Sequence, residues 1–312
     1  MNRARKVQIA DGRLVPDNNE EYLLYQTIVG AMPMHMESGQ ERAEFIQRIQ
    51  QYMEKAVQEA KVNLSWLDPN PTYVNAVKEF VARIFSPAQR GKSNLFYESL
   101  QKFLPVAKYF GAINSLTQVF LKLTCPGVPD VYQGQELWDF SLVDPDNRRP
   151  VDFSLRLRLL DALGQQHHSR NGNLLADLGD MLRHYQDGRI KLWLTQALLR
   201  VRQDRPALFK NGAYIPLLGE GSKAEHVIAY ARSLAGESIL AAVPRLAFTL
   251  MRGAEAPPIG ALWGDTLLHI GPEFARSELR NLLTGERVPV RDGSVVLCSD
   301  LFAHLPFALL AG

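Results

Sequence analysis

The succession of residue patterns predicts a multidomain α and β protein: helices first, then one buried strand with helices after it, then an all-β tail. Apolar residues recur at helical spacing through the first 124 residues. At "CPGVPDVYQG" the spacing gives way to a short apolar run bounded by Gly and Pro. From residue 212 short alternating runs separated by turn residues take over, the pattern of an antiparallel sandwich of about 100 residues.

Each element has its own warrant. "EEYLLYQTIVGAM" predicts a helix near 20–32. Ser38 with Glu41 three residues later makes a capping box. Phe45, Ile46, Ile49, Tyr52, Met53, Ala56, Val57 and Ala60 then follow helical spacing, so a long amphipathic helix is expected over about 39–62. It stops near Asn63, before "DPNP". Asn70-Pro71 sets a cap before a proline at the first helical position, and Val74, Val77, Phe80, Val81 and Ile84 continue the stripe. Two more helices are expected near 94–109 and 113–124. The buried strand is placed near 128–133, with both faces covered as in a parallel sheet. A long loop over 133–153 would leave its carboxyl end, where parallel α/β architectures bind ligands. Helices return near 154–163, 174–185 and 188–204, the last with Asp187 as cap and Pro206 as its stop. "AYIPLLG", "EHVIAYARS", "SILAAVPRL", "DTLLHIG", "RNLLTG", "SVVLCS" and "LPFALLA" are the expected strands of the tail.

Composition narrows the function classes. Of 312 residues, 46% are hydrophobic and 22% charged, which suits a large core. The net charge of +2 gives no reason to expect nucleic acid or an anionic membrane as partner. There is no bilayer-length apolar run and no apolar signal-peptide core at the N-terminus, so a cytoplasmic location is expected. Cys125 and Cys298 are read as small buried hydrophobes, neither a disulfide scaffold nor a zinc pair. His167, His168 and His184 are read as surface residues, because consecutive helical residues point apart and no metal spacing appears. No metal and no cofactor are expected.

The stretch "PGVPDVYQGQELWDFSLVDPDNRRP", residues 126–150, concentrates the polar chemistry. It carries Glu136, Asp139, Asp144 and Asp146, the cations Arg148 and Arg149, and the flat faces of Tyr132 and Trp138. Two of its carboxylates could form an independent hydrolytic site. Against that, Asp-Pro and Asp-Asn pairs make turns, and adjacent arginines keep carboxylates ionised, which makes poor general acids. Carboxylate and guanidinium together can bracket vicinal hydroxyls, one accepting and one donating.

"PGVPDVYQGQE" resembles the eighth strand and following loop of the α-amylase superfamily barrel, and "DPDNRRP" resembles a loop of several members. The longer "GVPDVYQGQELWDFSLVDPDNRRPVDF" resembles the maltooligosyl trehalose synthase family, as do "NNEEYLLYQTIVGAMP", "YMEKAVQEAKVNLSW", "NSLTQVFLKLTCPGVPD" and "DGRIKLWLTQALLRVRQDRPALF". The resemblance covers nearly the whole chain and implies the C-terminal portion of such an enzyme. The implied architecture is a helical insertion (1–112), the last βα part of a (β/α)8 barrel (113–205), and an antiparallel β-sandwich (206–312).

The implied activity is intramolecular transglycosylation, which turns the reducing-end α-1,4 linkage of a maltooligosaccharide into α,α-1,1. Retaining chemistry needs two carboxyl groups about 5–5.5 Å apart. The superfamily places its catalytic carboxylates on loops after earlier strands, so the resemblance assigns none to this chain and implies that the chain alone is inactive. The implied partners are a maltooligosaccharide and the missing N-terminal barrel portion. In neopullulanase-like members the first Asp and first Arg of the matching loop contact a donor-side glucose, which implies Asp144 and Arg148 here. An internal Asp144–Arg148 pair that merely stiffens the loop is the alternative. Tyr132, Gln133 and Trp138 could line the same pocket or pack beneath it, while Glu136 and Arg149 would support the loop. By resemblance Lys61 and Trp66 lie near the reducing-end glucose. On physical grounds alone they suit an exposed lysine and a core tryptophan. A non-catalytic carbohydrate-binding or complementing subunit and an α-1,4-glucan hydrolase are the competing functions.

Overall fold

The computed structural model describes residues 2–86, 94–169 and 173–312, with 165–169 as backbone alone. His167 and His168 therefore lie outside the described side chains; His184 is exposed. The chain divides into two compact units, Met1–Lys108 with Asp139–Pro150, and Tyr109–Trp138 with Val151–Gly312.

The first unit opens with a small antiparallel pair, β1 (Val7–Gln8) and β2 (Leu14–Val15). Three helices follow: α1 (Asn18–Ala31), α2 (Gly39–Ala60) and α3 (Pro71–Phe85). Each starts where a side chain satisfies orphan N–H groups. Asp17 and Glu20 form a reciprocal box on α1, and Ser38 and Glu41 form the expected one on α2. Asn70 accepts from the Tyr73 N–H at 3.0 Å, with Pro71 opening α3. Leu24 and Ile28 of α1, Phe45, Ile49, Met53 and Val57 of α2, and Val77, Phe80, Val81 and Ile84 of α3 meet in one core. Full burial of each such side chain is worth about 1.5–3 kcal/mol. A buried polar knot fixes the helix ends. Glu20, 7% exposed, accepts from the Tyr73 hydroxyl at 2.5 Å, and Asn63 donates to Asp17 at 2.8 Å and to Glu20 at 3.0 Å.

The helices expected near 94–109 and 113–124 are a single one, α4 (Leu95–Thr124). Gly111 costs about 1 kcal/mol relative to alanine in a helix. Burial of Tyr109, Phe110, Ala112 and Ile113 around it offsets that cost. The strand expected near 128–133 is not formed. Val128 is 98% exposed, and residues 128–132 make no ladder. A parallel strand needs parallel neighbours, and every described strand pair is antiparallel.

In the second unit, the remainder of α4 is followed by α5 (Phe153–Ser169), α6 (Leu174–Arg183), α7 (Arg189–Asp204) and α8 (Pro206–Asn211). Asp187 does not cap α7. Gly188 holds that position at φ +78°, and Asp187 instead accepts from the Arg189 N–H at 2.9 Å. The tail strands are β3 (Ala213–Leu217), β4 (Gly219–Glu220), β5 (Val227–Leu234), β6 (Glu237–Pro244), β7 (Leu267–His269), β8 (Glu278–Asn281), β9 (Arg287–Pro289), β10 (Val295–Leu297) and β11 (Ala308–Ala311). They form a six-stranded sheet, β3-β5-β6-β11-β8-β9, and a three-stranded one, β10-β7-β4.

The central strands β5, β6 and β11 of the larger sheet are buried on both faces. Ala229, Ala231, Leu240, Ala242 and Leu310 join Leu268 and Val296 of the smaller sheet in one core. Their alternates Tyr230, Ile239, Ala241, Val243 and Leu309 meet Phe120, Leu194 and Leu198 of the helices in another. Arg232 shares the helix-side face of β5 with Tyr230, as the two-residue period requires. It is 1% exposed and donates to the carbonyls of Thr124, Leu208, Phe209, Gly212 and Ala213. Cys298 is buried, which pushes its thiol up to about 12, and Cys125 is half-buried with its Sγ donating to the Tyr230 hydroxyl; both are free.

Candidate functional site: the 126–150 loop and the end of α2

The polar stretch divides between the units after Trp138. In the second unit, residues 126–138 turn tightly. Gly134 takes φ +90°, and a Cβ there would meet Val151 at 3.3 Å, so a side chain would be both strained and crowded. Arg156 ties this turn down, donating to the Gly134 carbonyl at 2.7 Å and to Glu136 at 3.0 Å. The Trp138 indole N–H donates to the Tyr185 carbonyl at 2.7 Å. Lys191 lies 5.4 Å from the Trp138 ring centroid and donates to the Leu137 carbonyl at 3.0 Å. Trp138 is thus held by packing and a cation, whereas Tyr132 and Gln133 are exposed.

In the first unit, Asp146 organises residues 139–150 against α2. Arg48 donates to its two oxygens through Nε and Nη2, both at 2.9 Å, and Nη2 also donates to the Phe140 carbonyl at 2.7 Å. The Leu142 N–H donates to Asp146 at 2.7 Å, and Arg149 pairs with it at 3.1 Å. Two helical turns further along α2, Lys55 donates to the Asp144 carbonyl at 2.7 Å. Asp139 accepts from the Ser141 N–H at 2.9 Å, closing a local turn.

Asp144 and Arg148 form an ion pair at 2.5 Å, with the Lys55 ammonium 4.0 Å from the other Asp144 oxygen. Their side chains are 45% and 71% exposed. The structure therefore places an acceptor and a donor side by side at the surface, a geometry suited to vicinal hydroxyls once the pair opens. Beyond Lys55, α2 rises about 9 Å more before Lys61 ends it in a left-handed conformation at φ +55°. Lys61 is exposed. Trp66 is 59% exposed, so the core-tryptophan reading does not hold. The reason is local: Leu64 takes the buried place, and the Ser65–Asp68 turn carries Trp66 outward. Arg48 and Lys55, the groups that hold the loop, were not singled out by sequence. Their spacing of seven residues puts both on one face of α2, the one available clue.

Burial disfavours the charged form of Asp146, but the Arg48 hydrogen bonds, the Leu142 N–H and the charges of Arg48 and Arg149 outweigh it and hold the carboxyl below its ordinary range. An acid held ionised cannot serve as a proton donor at neutral pH. The same shift fixes a pH dependence. A carboxylate with a depressed folded pKa contributes stability above its unfolded value of about 3.9, and loses it as pH falls through the folded value. Amide exchange at Leu142 should therefore be independent of pH-linked opening above about pH 5 and lose protection below about pH 4.

No protein-family model matches the chain. A Mycobacterium tuberculosis (strain H37Rv) protein named "Putative maltooligosyl trehalose synthase" is 32% identical over 295 residues, which are 95% of this chain and 32% of that protein. The structure of maltooligosyltrehalose synthase from Arthrobacter ramosus superposes with a TM-score of 0.68 at 33% identity, covering 93% of this chain and 32% of that one. A Sulfolobus tokodaii structure titled a hypothetical maltooligosyl trehalose synthase gives 0.62 at 26% identity, covering 95% and 32%. The chain spans about a third of the length of each of these proteins. Over nearly all of its own length, the chain resembles the C-terminal portion of the maltooligosyl trehalose synthases.

Proposed function

We propose that this chain is the C-terminal portion of an intramolecular transglycosylase that makes maltooligosyl trehalose from a maltooligosaccharide. The observation that carries the proposal is the similarity to maltooligosyl trehalose synthases across 95% of the chain. On this reading residues 113–205 complete a (β/α)8 barrel of the α-amylase type, and the exposed 128–132 segment becomes its last strand when parallel neighbours are supplied. The catalytic carboxylates lie on the part of the enzyme that this chain does not contain. The complete enzyme works on soluble sugar in the cytoplasm.

The chain's own residues would hold sugar. Asp144 accepts and Arg148 donates to vicinal hydroxyls of one glucose, with Tyr132, Gln133 and Trp138 beside it. Lys61 donates to the reducing-end glucose and Trp66 stacks on it. The reaction also needs an enclosure. After cleavage the freed glucose must stay, turn over and attack through its anomeric hydroxyl before water does, so walls that exclude water favour isomerisation over hydrolysis. Residues 20–110 are proposed to form part of that wall.

A second reading, a complementing or carbohydrate-binding subunit, is favoured by one observation: each unit has a hydrophobic core of its own. Calorimetry with maltopentaose tests the sugar-holding role common to both. Binding without turnover is expected, weakened about tenfold by Asp144→Ala, the scale of one charge-assisted hydrogen bond. Trp66→Ala should cost a similar factor, the scale of one lost stacking contact. Affinity unchanged by both substitutions would remove the loop and the α2 end from the site.

A further inference from the structure

The second unit has a cleft of about 460 Å³ whose lining residues all lie outside 126–150. Such a volume lies within the range of about 300–1,000 Å³ typical of small-ligand sites. Tyr109, Arg183, Tyr185, Gln186, Glu255 and His304 give it its chemistry. Tyr109 comes from α4, Arg183 from the end of α6, Tyr185 and Gln186 from the turn before α7, Glu255 from the β6–β7 connection and His304 from the segment before β11.

The two tyrosine rings meet edge to face, 5.3 Å apart at 87°. Tyr109 is 7% exposed, yet its hydroxyl hydrogen-bonds to no described residue and is not sealed off, so it opens on the cleft. A polar group at that depth normally has a partner. Burial, then the neighbouring Tyr185 and Glu255, push the Tyr109 hydroxyl up, and burial and Glu255 do the same for Tyr185 against the opposing effect of Gln186. Both hydroxyls therefore remain neutral, each able to donate and accept.

The charges of the wall select among ligands. Glu255 has no ion-pair partner among the described residues, and would repel an anion. Arg183 stands 3.7 Å from Asp180, a loose pair that leaves guanidinium N–H groups to spare, and it would repel a cation. His304 faces Glu286 at 3.1 Å. A neutral ligand dense in hydroxyls uses every group: it donates to Glu255, accepts from Arg183 and Gln186, exchanges bonds with the tyrosine hydroxyls and lays a C–H face on the Tyr185 ring.

We propose that this cleft is a second carbohydrate-binding site, separate from the 126–150 loop, that takes a neutral oligosaccharide between Tyr109, Tyr185 and Glu255. That the sugar is an α-1,4-glucan rests on the function proposed above.

The test labels the full 312-residue chain with 3-fluorotyrosine. Resonances of Tyr109, Tyr185 and Tyr132 are assigned by single Tyr→Phe substitutions. The chain and its Asp144→Ala variant are titrated with maltopentaose and, separately, cellopentaose. The expected result is a saturable maltopentaose shift at Tyr185 and Tyr109 that persists in Asp144→Ala. Glu255→Gln and Gln186→Ala should each weaken it about three- to tenfold, the worth of one net hydrogen bond. Response at Tyr132 alone would overturn the cleft and leave the loop reading standing. Response at Tyr185 to cellopentaose but not maltopentaose would keep the carbohydrate site and sink the α-glucan assignment. Silence at Tyr109 and Tyr185 with both sugars, or a Tyr185 shift abolished by Asp144→Ala, would overturn the proposal.

Discussion

Replacing Arg232 by leucine is expected to destabilise the second unit by about 3–5 kcal/mol, the cost of stripping a buried charge-assisted network of its donor. The guanidinium is 1% exposed and has no carboxylate among its partners. Its acceptors are backbone carbonyls, with Gly212 nearest at 2.8 Å and Phe209 at 3.1 Å. Leu208 and Phe209 lie in the last turn of α8, and Thr124 is the final residue of α4. These carbonyls lie at the negative ends of two helix dipoles, and that of Leu208 also accepts from the Gly212 N–H at 2.9 Å. A planar fork with five fixed donors serves more of them at once than a three-donor ammonium on a flexible stem. Arg232→Lys should therefore recover less than half of the loss. Urea unfolding followed by the buried Trp193 and Trp263 reads the effect. A loss below about 1 kcal/mol, the worth of a single ordinary hydrogen bond, would contradict this account of the network.

The second large effect is expected at Arg48. Arg48→Ala should cost about 2–3 kcal/mol and free residues 139–150, because it leaves Asp146, whose side chain is 12% exposed, without its two-point partner. The figure is below that for a fully buried pair because Arg149 and the Leu142 N–H still reach the carboxylate. Amide exchange should rise by about 30-fold or more at Leu142, with α3 unchanged, if opening of the loop is limited by this pair. Arg48→Lys should not restore protection, since the bidentate geometry is lost. Unaltered exchange across 139–150 would show that the loop is held by something other than Arg48.

These two arginines also mark where sequence reasoning stops. Helices with strong stripes and caps were legible: the Ser38–Glu41 box, the Asn70-Pro71 start, and the Val77–Ile84 face all occur as the spacing implies. So were six of the tail strands, because turn residues punctuate them, while "RNLLTG" meets β8 only at Arg280 and Asn281. The joined helix α4 was not, since a glycine marks a break only where no tertiary contact offsets its cost, and the contacts around Gly111 are long-range. β4 has only two residues, and β9 sets Val288 between Arg287 and Pro289 with no apolar run to mark it. Arg232 sits at an inward strand position where a charge argues against burial, and the acceptors that make it tolerable come from residues far apart in sequence. The strand expected at 128–133 does not form, and no described strand runs parallel to another.

Within the loop, residue types were visible but not their roles. By residue type alone the four carboxylates were interchangeable, and only the family resemblance singled out Asp144. The structure separates Asp146, held by Arg48, from Asp144, half-buried beside Arg148, and from Glu136, paired with Arg156. Which carboxylate is buried against which cation is decided by α2, some ninety residues away, and by α5. Trp66 shows the converse: its apolar ring suggests a core, and the turn after Leu64 puts it in solvent.

The central claim is that this chain holds sugar for a reaction whose catalytic carboxylates lie elsewhere. Its most direct test is product analysis with maltopentaose, using the chain alone and mixed with a polypeptide that supplies the N-terminal part of a maltooligosyl trehalose synthase. The account predicts no product from the chain alone and a non-reducing, trehalose-type product from the mixture. Release of reducing sugars by the chain alone would contradict it.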